Sequence, residues 1–165
     1  MLIFCIKYGI IIYENTTEEV IRMKKNVLFV CAGNTCRSPM AEFILKKKRP
    51  DFYVKSAGIC AIEGFPMSRG AQIVLSSENY AKDEIALFKS KMLTDEDLKK
   101  DNIIFVMNEY LRSAISERGR TKNVFLLGNT DIPDPYGHTV EDYQFVKNMI
   151  EQAIDKELIR LENLH

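Results

Sequence analysis

Four consecutive apolar residues, Val27-Leu28-Phe29-Val30, run into a turn and then into a second apolar stretch, Met40-Ala41-Glu42-Phe43-Ile44-Leu45-Lys46. The first run has the pattern of a parallel strand buried on both faces. The second has the pattern of a helix, with Pro39 in its first turn, where a missing N–H is tolerated. A strand feeding a helix in this way points to an α/β sheet. The turn between them holds Cys31, Ala32, Gly33, Asn34, Thr35, Cys36, Arg37 and Ser38. Successive backbone N–H groups in such a turn form an anion nest, aimed at the same point as the helix dipole. Cys31 then lies where a thiolate is stabilised. Arg37 can return over the nest and offer a planar fork to phosphate oxygens. The turn is a candidate phosphate-binding cup with a nucleophile at its base.

The rest of the chain repeats the alternation. Tyr53-Val54-Lys55-Ser56-Ala57-Gly58 reads as a second strand, and Pro66 to Leu75 as a helical stretch facing inward with Ala71, Val74 and Leu75. Ser76 to Lys91 is polar and weakly periodic and reads as a connection. Thr94 is a helix cap, with Asp97 in the slot usual for Glu. Asn102 to Met107 is a third strand, Asn108 to Arg118 a helix, and Asn123 to Leu127 a fourth strand ended by Gly128. The last helix starts near Thr139, with Glu141 and Asp142 in its first turn. Asp142 makes its capping box imperfect. Tyr143, Val146, Ile150, Ile154, Leu158 and Leu161 recur at helical spacing as one core-facing stripe. At 165 residues the chain suits one domain.

Charge and cysteine usage narrow the partners. Lys plus Arg and Asp plus Glu are both 23, so no net field favours nucleic acid or an anionic membrane. Leu2 to Tyr13 is apolar but too short and interrupted for a spanning helix. The four cysteines, Cys5, Cys31, Cys36 and Cys60, sit in a chain with no secretory signature, which favours reduced thiols over a disulfide framework. With only His138 and His165 besides, a zinc site reads poorly. No Gly-Lys-Ser/Thr follows the turn, so it is not a nucleotide loop.

The Cys31-x5-Arg37-Ser38 spacing resembles that of cysteine-dependent phosphatases. The fuller string Cys31-x-Gly33-Asn34-x-Cys36-Arg37-Ser38-Pro39 is similar to the low-molecular-weight protein tyrosine phosphatase family, and Thr35 in its variable slot resembles the bacterial protein arginine phosphatase branch. The Ser56-Ala57-Gly58 segment also matches. The resemblance implies a three-layer sandwich: a four-stranded parallel sheet of order 2-1-3-4, flanked by helices. It implies a domain over residues 23–165, with residues 1–22 outside the pattern, either a leader added upstream of Met23 or an extra edge strand.

The resemblance also implies roles. Cys31 would be the nucleophile and Arg37 the phosphate ligand, with Ala32, Gly33, Asn34, Thr35, Cys36 and Ser38 completing the substrate cup. Asp134, in Asp131-Ile132-Pro133-Asp134-Pro135-Tyr136-Gly137, would be the general acid; Asp131 is the rival, without a Pro-aromatic pair after it. Tyr136 would stack on the substrate. Ser38 would hydrogen-bond the Cys31 sulfur or simply cap the helix. Cys36 would pair with Cys31 on oxidation, unless it is only a small buried residue. His138 reads as a solvated loop residue. The implied enzyme is a monomeric, cytoplasmic protein phosphatase acting on phosphorylated proteins, with no metal or other cofactor.

Two substrates fit that machinery: phosphoarginine, which the Thr35 hydroxyl favours, and phosphotyrosine. Arsenate reductases similar to this family need two further downstream cysteines, and none follows Cys60. An inert phosphate-binding module would have lost the cysteine, the arginine or the acid; all three are present.

Overall fold

The apolar run becomes an inner strand with neighbours on both sides. In the computed structural model, which describes residues 25–99, 102–119 and 122–163, β1 (Asn26–Cys31) pairs in parallel with β2 (Tyr53–Gly58) and with β3 (Ile103–Val106). β4 (Val124–Leu126) adds in parallel to the far side of β3, so the order is β2-β1-β3-β4. Val27 to Cys31 are all buried, as an inner strand covered on both faces requires. Phe29, Phe105 and Phe125 carry ring contacts from β1 across β3 to the edge strand β4, with centroids 5.8 and 6.0 Å apart.

The strand order places the helices. α1 (Arg37–Lys48) connects β1 to β2, and α5 (Glu109–Glu117) connects β3 to β4. These crossovers leave the sheet centre in opposite directions, so the right-handed rule puts α1 and α5 on opposite faces. α1 packs on β2 and on the long final helix α6 (Val140–Asn163), which also packs against α2 (Arg69–Ser77). α4 (Asp95–Lys99) precedes β3. The expected stripe on α6 faces the core: Tyr143, Val146, Ile150, Ile154 and Leu161 are buried and Leu158 half-buried. Among the described residues no helix is long and apolar enough to cross a membrane. The expected extension over residues 1–22 lies outside the described residues.

Several local expectations need correction. The connection Ser76 to Lys91 contains a short helix, α3 (Lys82–Leu87), which buries only Ile85 and so leaves no periodic signal. The fourth strand stops at Leu126, and Leu127–Asn129 is a 3₁₀ turn. Gly128 in that turn has φ +69°, and a Cβ there would stand 2.6 Å from the Ala153 Cβ on α6. Both Asp-containing capping boxes are complete. Thr94 and Asp97, and likewise Thr139 and Asp142, each accept the other's backbone N–H at 3.1–3.2 Å. The shorter aspartate reaches as well as glutamate would.

Candidate active site

The cup lies at the carboxyl end of β1, between β1 and β3, where the strand order reverses. Open α/β sheets bind ligands at this switch point. Cys31 ends β1, and its Sγ is 3.0 Å from the Ser38 Oγ and accepts the Asn34 N–H at 3.1 Å. The chain turns tightly here because Asn34 adopts φ +53°, a left-handed conformation that asparagine tolerates. β2 supports the turn from below. The Ile59 and Cys60 N–H groups donate to the Cys31 and Ala32 carbonyls at 3.0 Å. Gly58 allows that approach: a Cβ there would come 2.4 Å from the Ala32 carbonyl oxygen.

Beneath the cup runs a buried polar chain. The Asn34 side-chain N–H₂ donates to Ser38 Oγ and to Ser56 Oγ, each at 2.9 Å, and its Oδ1 accepts the Lys91 N–H at 2.8 Å. Ser56 Oγ donates in turn to Glu42 Oε2 at 2.5 Å, and Lys46 Nζ closes on Glu42 Oε1 at 2.5 Å. Every side-chain group of Asn34 is thereby satisfied at zero exposure. Sequence reasoning missed Ser56 and Glu42. The available signals were slight: Ser56 sits in a matched segment, and Glu42 is an acid inside an apolar helical run.

A cavity of about 310 Å³ opens over Cys31. It is lined by Gly33, Thr35, Cys36, Arg37, Asp134 and Tyr136 from the expected set, and by Cys60, Ile62 and Phe65 besides. Ala32, Asn34 and Ser38 build the wall without lining the cavity, and the Asn34 and Ser38 side chains turn into the interior. Ile62 and Phe65 ride on a loop stapled by Ser90, whose Oγ donates to the Ile62 carbonyl and accepts the Phe65 N–H. Nothing in their local sequence marks them as site residues. His138 is exposed and does not line the cavity.

The two aspartates separate in space. Asp131 Oδ1 accepts the Glu109 N–H at 3.0 Å, which ties it to the start of α5. The Ile132 N–H donates to the Met107 carbonyl at 2.8 Å, anchoring the loop beyond β3. Asp134 then reaches the cup: Arg37 Nη2 donates to its Oδ2 at 2.5 Å. Arg37 Nη1 donates to the Ile132 carbonyl at 3.1 Å, while its buried Nε has no hydrogen-bond partner among the described residues. That buried guanidinium, with an open donor beside a cavity, is suited to holding an anion.

Burial pushes the Cys31 thiol above its ordinary pKa, opposed by hydrogen bonds from Ser38, the charge of Arg37 and the Asn34 N–H. The expected thiolate stabilisation is therefore outweighed in the unliganded cup, where Arg37 is already paired with Asp134. The other loop cysteine also lines the cavity, but its sulfur is engaged by α6 and by the residue before α2. Cys36 Sγ donates to Ser68 Oγ at 3.2 Å and lies 3.3 Å from the Tyr143 hydroxyl. Burial, then the Cys36 contact, pushes the Tyr143 phenol up to about 12. Gly70 admits the Tyr143 ring, since a Cβ there would stand 2.4 Å from it. Cys31, Cys36 and Cys60 are all free thiols.

Comparison with known proteins bears on the family and the fold. The family description "low molecular weight phosphotyrosine protein phosphatase" matches residues 26–164. A probable low molecular weight protein-tyrosine-phosphatase of Ralstonia nicotianae, EpsP, is 33% identical over 147 residues, covering 86% of this chain and 99% of that protein. A protein-arginine-phosphatase of Geobacillus stearothermophilus is 35% identical over 143 residues, covering 81% of this chain and 94% of the relative. The solved low molecular weight protein tyrosine phosphatase of T. tengcongensis superposes with a TM-score of 0.77 at 34% identity, over 83% of this chain and 99% of that one. Sequence and strand order thus agree over nearly all the described residues, and the chain belongs to the low molecular weight phosphotyrosine protein phosphatase family.

Proposed function

We propose that this protein hydrolyses phosphoarginine in phosphorylated proteins through a phospho-cysteine intermediate, as a monomeric enzyme of the cytoplasm without a metal or other cofactor. The observation that carries the reading is that one cavity gathers Cys31, Thr35, Arg37 and Asp134. Cys31, having released its thiol proton to solvent, attacks phosphorus as thiolate, and the bond from phosphorus to the guanidine nitrogen breaks. Asp134 donates a proton to that nitrogen as it leaves. Water then attacks the phospho-cysteine, Asp134 takes its proton, and the Ser38 hydroxyl 3.0 Å from the sulfur stabilises the departing thiolate. Arg37 and the backbone N–H groups of the turn hold the phosphoryl oxygens. The cup belongs to one domain over residues 23–165.

Substrate choice rests on Thr35. Its hydroxyl offers an acceptor to the N–H groups of a phosphoguanidine, where a purely aliphatic wall would leave them unpaired. An unpaired buried polar group costs about 1–3 kcal/mol, or roughly ten- to a hundredfold in selectivity. The second reading, phosphotyrosine, is favoured by Phe65 and Tyr136, two exposed aromatic rings on the cavity rim. The deciding measurement is kcat/KM on phosphoarginine and phosphotyrosine peptides for the wild type and Thr35→Ile. Preference for phosphoarginine that shifts toward phosphotyrosine in the variant supports the proposal. An unchanged ratio makes Thr35 packing and puts phosphotyrosine first.

A further inference from the structure

The cavity over Cys31 is lined by one cation and one anion, and they are paired with each other. Arg37 and Asp134 are the only formally charged residues among those lining it. Burial pushes the Cys31 thiol at the end of β1 up, and the Tyr143 phenol on α6 is pushed up to about 12. Cys36, Cys60 and Tyr136 complete the titratable lining, and His138 stands exposed on the same loop. The loop that carries Asp134 occupies two of the three guanidinium nitrogens, Nη1 through the Ile132 carbonyl and Nη2 through Asp134. Nε is buried and has no partner among the described residues, and each Nη keeps a second N–H.

A phosphoryl dianion seated on the Nε–Nη2 edge of Arg37 shares Nη2 with Asp134, so two anions crowd one nitrogen. With Asp134 still ionised, one guanidinium would face three negative charges in a small, largely apolar cavity. Like charges at such range disfavour the ionised carboxylate. We propose that Asp134 is a latch on Arg37 which the incoming dianion displaces, and that the displaced carboxylate takes from solvent the proton it later donates. The charge of the substrate thereby arms its own general acid. This inference rests on the phosphatase reading only in that the cup receives a dianion.

The test uses sulfate, a dianion that does not itself take up protons near neutrality. The full chain is titrated by calorimetry near pH 6 in two buffers of different ionisation enthalpy, as wild type and as Asp134→Asn. The expected result is uptake of about one proton per sulfate in the wild type and none in the variant, whose sulfate affinity also loses its pH dependence. Side-chain ¹⁵N signals of Arg37 should differ between the two proteins when free and converge when both are saturated with sulfate. Binding without proton uptake, uptake that persists in Asp134→Asn, or Arg37 signals that remain apart at saturation would overturn the latch. Turnover of a small aryl phosphate by the wild type is measured separately. Its absence overturns the phosphatase reading and leaves the latch to the calorimetry.

Discussion

Two residues decide between rival roles at the smallest scale. Asp131 and Asp134 lie in one stiff loop, yet Asp131 caps the backbone of α5 and Asp134 reaches Arg37. Asp134→Asn should therefore slow turnover by roughly 10²–10⁴-fold, the usual worth of a general acid. The loss should shrink for leaving groups that depart well unprotonated. Asp131→Asn should keep the chemical step within about tenfold, since an amide oxygen still accepts the Glu109 N–H. Steady-state rates on substrates of graded leaving-group pKa check both; a larger loss in Asp131→Asn would reverse the assignment. Cys36 carries the second residue-scale prediction. Peroxide would convert the Cys31 thiolate to a sulfenic acid, and the Cys36 thiol would expel its oxygen as water to form a disulfide. The Cys36 sulfur must first leave Ser68 and Tyr143. Mild peroxide should inactivate the protein and a dithiol should restore it, with peptide mapping showing a Cys31–Cys36 link. In Cys36→Ser the same treatment should end in irreversible sulfinic acid on Cys31.

At the scale of elements, a buried lysine ties the helices together. Lys147 on α6 is buried and bonds Glu78, just beyond α2, and Glu151 one turn along α6. Lys48 at the end of α1 pairs with Glu151 and Asp155. Three helices thus meet through one ionic cluster in which Lys147 is buried, while Lys48 and the carboxylates are part-exposed. Lys147→Met keeps the apolar stem and removes the charge. Breaking a fully buried pair costs about 3–5 kcal/mol, and solvent around the carboxylates reduces this to about 1–3 kcal/mol. Tm should fall by roughly 3–10 °C for a chain of this size, measured by calorimetry or circular dichroism. The phosphate cup should be unaffected, because the cluster lies outside its lining.

For the whole molecule, the same charges set a pH window. Burial raises the Glu78 pKa, but Lys147 and Gln144 more than offset it, and Glu78 ends below its ordinary value. Glu151 is lowered by Lys147, Asp51 by Arg49, and Asp142 by the Thr139 hydroxyl. Carboxylates lowered on folding stabilise the native state above their unfolded pKa, and that contribution is lost as pH falls through the folded values. Lys48 and Lys147 are raised despite burial, through their carboxylate partners. Their contribution is complete below the unfolded lysine pKa and is lost as pH rises through the folded values. Tm should therefore be flat from about pH 5 to 10 as far as these groups govern it, and fall on both sides. A scan of Tm against pH with acid loss beginning well above pH 5 would contradict this account.

How much of this is legible in the sequence alone depends on range along the chain. The run Val27 to Val30, the cup string after it and the α6 stripe are local patterns. Strand and helix periods of a few residues state which side chains must be buried, so four strands, their order of appearance and the cup itself could be read directly. The substrate nest follows from the same short stretch. The reading of Asp134 as the acid rests on a family string, since composition leaves Asp131 and Asp134 equal. Their separation came from α5 and β3, which hold one aspartate and leave the other free to reach Arg37 nearly a hundred positions earlier in the chain. The Asn34–Ser56–Glu42 chain, the Cys36–Tyr143 contact and the rim of Cys60, Ile62 and Phe65 likewise join segments far apart in sequence. Such contacts depend on which strands neighbour which and on the hand of the crossovers, and those are settled only when the sheet assembles.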